Sequence, residues 1–203
     1  CNITLRSPCL KNWLTMDPDM TQTPEKITLE DGTTEWRLAG QRHCEDGPAV
    51  ETSDGSKVWF LTGKQHRVDG PAVEHFDGTK EWWVNGQLHR EDGPAIIESN
   101  GTQEWHQKGV YHREDGPAVI RDDGVKQWWV QGVRHRLDGP AVIEENEMRQ
   151  WWVNGILHRE DGPAIEYEDG VEEWYLLGVQ VTENTVTDVA QRDSFMKSQL
   201  KPG

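Results

Sequence analysis

Short runs in which β-branched or aromatic residues alternate with polar ones recur along the chain, each closed by a dipeptide suited to a tight turn. The stretch from Ala72 to Ala95 is representative. It reads Ala-Val-Glu-His-Phe, Asp77-Gly78, Thr-Lys-Glu-Trp-Trp-Val, Asn85-Gly86, Gln-Leu-His-Arg-Glu, then Asp92-Gly93-Pro94. Asp-Gly and Asn-Gly supply the positive-φ positions of two-residue hairpin turns, so the pattern predicts strand, tight turn, strand, tight turn and a short extended segment. Glycine at this density excludes helix. Because strand side chains alternate, Lys80, Trp82 and Val84 fall on one face while Glu81 and Trp83 fall on the other. Proline cannot donate to a ladder, so Pro94 and its equivalents mark the entry to a strand, where one unit hands over to the next.

The pattern is periodic. Asp-Gly-Pro recurs with its glycine at 47, 70, 93, 116, 139 and 162, a constant spacing of 23 residues. Tryptophan keeps the same register at 36, 59, 82, 105, 128, 151 and 174, and histidine at 43, 66, 89, 112, 135 and 158. Such a period marks a repeat array in which each unit stacks on its neighbours. The expected fold is all-β: an elongated single antiparallel sheet of about seven stacked β-hairpin repeats over residues 26–178, advancing about 10 Å per repeat. Residues 1–25 lack the signature and read as an N-terminal cap, with Leu5, Leu10, Trp13 and Leu14 over the first strand. Residues 179–203 read as a C-terminal cap, helical from Thr187 and Asp188, with Val189, Phe195, Met196 and Leu200 facing inward. Each repeated histidine is expected to bond the turn backbone or the neighbouring aspartate. Asn146-Glu147-Met148 lacks the turn glycine and is expected to be looser or differently turned.

Composition changes the picture in two ways. The net charge of -15 repels phosphate backbones and anionic lipid, which argues against direct nucleic-acid binding and membrane adsorption. The three cysteines, Cys1, Cys9 and Cys44, form no repeating framework, and Cys44 stands in a column that is otherwise arginine; they read as incidental thiols of a cytoplasmic protein. No stretch of about 18 apolar residues exists to span a membrane. A chain beginning at Cys1 also leaves open a processed terminus, an internal start or a lipidated lipoprotein.

Comparing the units with one another separates scaffold from surface. Columns that never change answer a need every unit shares, namely packing and turn geometry. The column after the tryptophan varies, reading Arg37, Phe60, Trp83, His106, Trp129, Trp152 and Tyr175. Aromatic residues on an open sheet face are enriched where partners dock, so Phe60, Trp83, His106, Trp129, Trp152 and Tyr175 are candidate partner-binding residues. On the same face run Glu81, Glu104 and Glu173, with Glu35, Val58, Gln127 and Gln150 in the same row. Aromatic and acidic rows together suit a basic protein partner. Packing of the rings on one another as a second, minor core is the alternative, and for the acidic row it is a solvated face that maintains solubility.

The repeated His-x-x-Asp does not make a metal or catalytic site. Neighbouring units lie about 10 Å apart, too far for adjacent rows to share one zinc, and each unit alone offers too few ligands. An active site is unique, whereas these polar residues recur in every unit. No cofactor, metal or enzymatic activity is expected.

The order Trp-Val-Asn-Gly-x-x-His, at Trp83 to His89 and Trp152 to His158, followed by a strand and Asp-Gly, resembles a variant of the membrane occupation and recognition nexus (MORN) repeat. It departs from that pattern where His-Arg-Glu-Asp-Gly-Pro replaces the shorter His-Gly-x-Gly. The resemblance implies stacked hairpins in a single sheet and a scaffolding or partner-binding role. Divergent repeats of this type are also similar to those of bacterial antitoxin-like proteins and of proteins from large viruses and phages, which implies sequestration of a protein target. The leading expectation is therefore a non-enzymatic binding module, an inhibitor or antitoxin-like protein. A structural spacer or self-assembling homo-oligomer, and an acidic mimic of nucleic acid, are the alternatives.

Overall fold

The computed structural model describes residues 23–199, so the expectations placed on Leu5, Leu10, Trp13, Leu14 and Leu200 lie outside the described residues. The fold is nearly all-β, with antiparallel strands in hairpin order and a short helical segment near the C-terminus. The described residues form two compact units, residues 23–99 with 106–109, and residues 100–105 with 110–199. In the first unit the main sheet runs Glu25–Thr28, Thr34–Leu38, Val50–Glu51, Lys57–Val58, Val73–Glu74, Lys80–Glu81 and Ile96–Ile97. In the second it runs Gln103–Glu104, Val119–Ile120, Lys126–Gln127, Val142–Ile143, Arg149–Gln150, Ile165–Glu166, Glu172–Leu176 and Val179–Val181. The registers repeat with the sequence: Val50 faces Val58, Val73 faces Glu81 and Val142 faces Gln150.

Each repeat makes two hairpins from one polar and apolar run. Lys80 and Glu81 pair into the main sheet, whereas Trp83 and Val84 pair with Leu88 and Gln87 in a separate short hairpin. Trp82 is the junction. Its N–H donates to Ala95 O at 2.8 Å and its carbonyl accepts from His89 N–H at 3.0 Å, so one residue serves both ladders. The same pair of bonds recurs at Trp59 and Trp128.

The two turns differ in kind. Asn85 and Gly86 both have positive φ, 53° and 80°, the geometry of a two-residue type I′ turn, as the sequence predicts. The Asp-Gly turn instead takes a longer loop. His75 N–H bonds Thr79 O, Gly78 N–H bonds His75 O, and Asp77 Oδ1 accepts from Thr79 N–H at 2.8 Å. This is a type I turn followed by a left-handed glycine, with aspartate closing it through its own side chain. The glycine-free turn is built the same way: Glu144 N–H bonds Met148 O, Glu147 N–H bonds Glu144 O, and Asn146 Oδ1 accepts from Met148 N–H. It is therefore not differently turned; Glu147 adopts φ 62° in place of glycine.

The core is thin. Its centre is the alanine after each proline, Ala49, Ala72, Ala95, Ala118, Ala141 and Ala164, all fully buried, flanked by Val50, Val73, Val119, Val142 and Ile165. Ala141 also donates its N–H to Gln150 O and accepts from Trp128 N–H, so there is room for a methyl group and little else.

At the C-terminus, Thr182 caps helix α1 (Glu183–Thr187) and Asp188 caps helix α2 (Val189–Gln199) by accepting from Ala190 and Gln191 N–H. The residue that faces inward is Val186 of α1, 1% exposed. Val189 is 60% exposed, and Phe195 and Met196 are only half-buried, so the inward stripe expected of α2 is not formed. Arg192 fastens α2 by donating to Glu160 O at 2.8 Å.

Candidate binding surfaces

The invariant columns close on one another. Arg113 donates through Nε to Asp115 Oδ1 at 2.8 Å and through Nη1 to Pro117 O at 3.2 Å, while its guanidinium lies 4.0 Å above the Trp105 ring centre. Arg67, Arg90, Arg136 and Arg159 repeat this over Trp59, Trp82, Trp128 and Trp151 at 3.9–4.1 Å. The Asp-Gly-Pro glycine is needed for close approach, since a Cβ on Gly116 would stand 3.0 Å from Arg113 Cζ. Thus the tripeptide is a clamp: aspartate and the proline carbonyl grip the guanidinium, glycine lies flat beneath it, and the cation covers a tryptophan. The arginine hydrogen bonds hold the carboxyls of Asp69, Asp92, Asp115 and Asp138 below their usual range.

Histidine joins consecutive repeats. The Nδ1 of His112 accepts from Gln131 N–H at 3.1 Å, and His43, His66, His89, His135 and His158 accept likewise from Thr62, Asn85, Lys108, Asn154 and Leu177. The donor is always the first positive-φ residue of the next repeat's type I′ turn. Histidine therefore bonds turn backbone, as expected, but the backbone of the following unit, and the aspartate is taken by arginine. The bond fixes a residue that is asparagine only at 85 and 154; elsewhere it is Lys108, Gln131 or Leu177, which rarely adopt this conformation, or the β-branched Thr62, which is least suited to it.

The variable column is half-buried at Phe60, Trp83, Trp129, Trp152 and Tyr175, and buried at His106. Its polar neighbours hold the rings. Trp83 Nε1 donates to Glu81 Oε2 at 2.7 Å, Trp129 and Trp152 donate to Gln127 and Gln150, and Tyr175 OH donates to Glu173 at 2.8 Å. Arg134 sits 5.1 Å from the Trp129 ring centre and 5.3 Å from that of Trp152, and Tyr111 stacks tilted on Trp129 at 5.4 Å. Glu104 accepts from Tyr111 OH, and Glu81 also meets His75 Nε2 at 2.9 Å. Glu173 accepts from Tyr167 as well, and both phenols are raised above their usual range by that carboxylate. The acidic row is thus partly committed within the chain. In the first repeat Glu35 is buried between Arg42 and Arg37, and the Arg42 hydrogen bond holds its carboxyl below the usual range against the effect of burial.

A second surface was not singled out by sequence. Shallow grooves lie between successive Asp-Gly-Pro loops, floored by Trp59 and Leu61, by Trp128 and Val130, and by Trp151 and Val153. These floors are the alternate residues of the central strand, and Trp129 and Trp152 do not line them. The arginine column was the available signal, since it recurs at 67, 90, 113, 136 and 159 and, among the Asp-Gly-Pro units, is broken only by Cys44.

Cys44 is 4% exposed, packs with Ala49, Trp36 and Phe60, and is disulfide-bonded, which corrects its reading as an incidental thiol. Among the described residues no group of acidic, histidine or cysteine side chains is arranged to hold a metal ion, and no helix is long and apolar enough to cross a membrane. Neither a known family model nor a curated protein sequence matches the chain.

Proposed function

We propose that the chain is a non-enzymatic, MORN-like repeat module that sequesters a protein target, as an inhibitor or antitoxin-like protein does, through the ring column and its acidic row. One observation carries the reading: the rings of Trp83, Trp129 and Trp152 are half-exposed while their indole N–H groups are held by the residue two positions earlier. A partner then meets aromatic anchors whose rotamers are already fixed, which lowers the entropic cost of docking. The invariant polar columns are engaged in clamps and inter-repeat bonds, which supports a scaffold for binding rather than chemistry. A basic target surface suits the net charge of -15. The cytoplasmic assignment drawn from free thiols loses its basis, because Cys44 is disulfide-bonded.

The test is replacement of Trp83, Trp129 and Trp152 by Ser, with capture from the source cell read by mass spectrometry alongside urea unfolding. A protein retained by the native chain and lost by a variant that still folds supports the proposal. Equal capture by both chains sinks it. Lost folding would make the rings a second core, and Trp129→His, a residue this column already carries at His106, then separates packing from recognition.

A further inference from the structure

The grooves on the Trp128 side have a chemistry of their own. Two of them share a wall. One lies between the loops around Asp115 and Asp138, the next between those around Asp138 and Asp161, with Trp128 and Trp151 in their floors. In every wall the cation faces inward and the anion outward: the Arg136 side chain is 23% exposed and that of Asp138 85%, and Arg113 and Asp115 show 23% and 84%. Each aspartate gives one oxygen to its arginine and leaves the other to solvent. Glu114, 83% exposed, and Glu160, 53% exposed, add charge that is not taken up by the wall arginines; their nearest basic neighbours are His112 Nε2 at 3.9 Å and His158 Nε2 at 3.3 Å. At the crest of the shared wall stands Leu137, 79% exposed.

We infer that these grooves bind an extended basic segment of a protein partner in polyproline II conformation, one Lys or Arg side chain per groove. Charge complementarity selects the basic side chain, and an apolar floor accepts its methylene stem. Spacing selects the conformation. Grooves recur once per repeat, about 10 Å for two strands, and three residues of polyproline II advance about 9 Å. Its threefold symmetry keeps every third side chain on one side, whereas a β-strand would turn alternate ones away. Leu137 offers an apolar contact to the prolines between. This surface is separate from the ring column, so either reading can fail alone.

The probe is a fluorescein-labelled (Lys-Pro-Pro)n peptide, compared by anisotropy with (Lys-Pro)n and (Lys-Pro-Pro-Pro)n carrying equal numbers of lysines. The triplet peptide is expected to bind about tenfold more tightly than either. Glu114→Lys with Glu160→Lys is expected to cost about another tenfold, and the neutral pair Glu114→Gln with Glu160→Gln less. The Trp83, Trp129 and Trp152 to Ser variant is expected to retain the peptide. Equal affinity for the three spacings, indifference to the charge reversals, or loss of the peptide in a ring variant that urea unfolding shows to be folded (Trp129→His where the triple variant is not) would each overturn the inference. So would sedimentation showing a self-associated chain that Leu137→Asp separates, since the occupant would then be a second copy.

Discussion

Trp128 and Trp129 are adjacent in the chain and belong to different regimes. Trp128 lies under Arg136, bonds two ladders through its backbone and floors a groove; its column is tryptophan in every repeat. Trp129 is held by Gln127, Arg134 and Tyr111, and its column takes Arg, Phe, His and Tyr as well. The first ring answers a shared set of partners, Arg, Asp, Gly and the proline carbonyl; among the repeats that carry Asp-Gly-Pro only the arginine is replaced, by Cys44 in the first, where Trp36 packs against Cys44 and Ala49. The second answers neighbours that change with it: indole N–H or phenol O–H meets whichever carboxylate or amide lies two residues back. Invariance here measures how many fixed partners a side chain satisfies.

The sharpest break of this contrast is truncation on the invariant side. Trp128→Ala is expected to cost about 3 kcal/mol and Trp129→His about 1 kcal/mol, read by urea unfolding or by amide exchange of the affected repeat. Ala141→Leu should fall close behind Trp128→Ala, at about 2–3 kcal/mol, because a fully buried ladder position has no space for the added carbons. His112→Ala leaves the Gln131 N–H without its acceptor and is expected to cost about 1–2 kcal/mol, with faster exchange of that amide than of its equivalents. Glu147→Gly tests the opposite sign: relieving a left-handed non-glycine residue should stabilise by about 1 kcal/mol and raise the melting temperature. The smallest effect is that of pH. Glu35, Asp69, Asp92, Asp115 and Asp138 are held below their usual ranges, so their contribution is complete above about pH 5, clear of the unfolded values, and is lost as pH falls through the folded values. A melting temperature flat from neutral pH to about 5 and falling below 4 is the expected profile; a rise on acidification would contradict the clamp.

Much of the fold was legible because its causes are local. Asn85-Gly86 specifies a type I′ turn, alternation sorts Trp82 from Trp83, and Pro94 fixes where a strand begins. The Asp77-Gly78 turn was misjudged by one residue, since a dipeptide signature does not say whether the aspartate side chain will close a longer loop. In the candidate ring surface, Phe60, Trp83, Trp129, Trp152 and Tyr175 were found by their variability, but not the use of Glu81, Glu104 and Glu173 as internal acceptors. The arginine clamp and the grooves were missed although arginine repeats visibly. A period shows that Arg113 is required without showing that it folds back over Trp105.

Repeat length, antiparallel hairpin order and the identity of the recurring columns follow from residue order alone, because turn geometry and strand alternation act over a few residues. Which partners those columns take depends on the stacking of the units. The His112 bond to Gln131 spans 19 residues, and the groove walls come from loops one repeat apart. Such contacts depend on how one unit stacks upon the next, and no local preference encodes that distance.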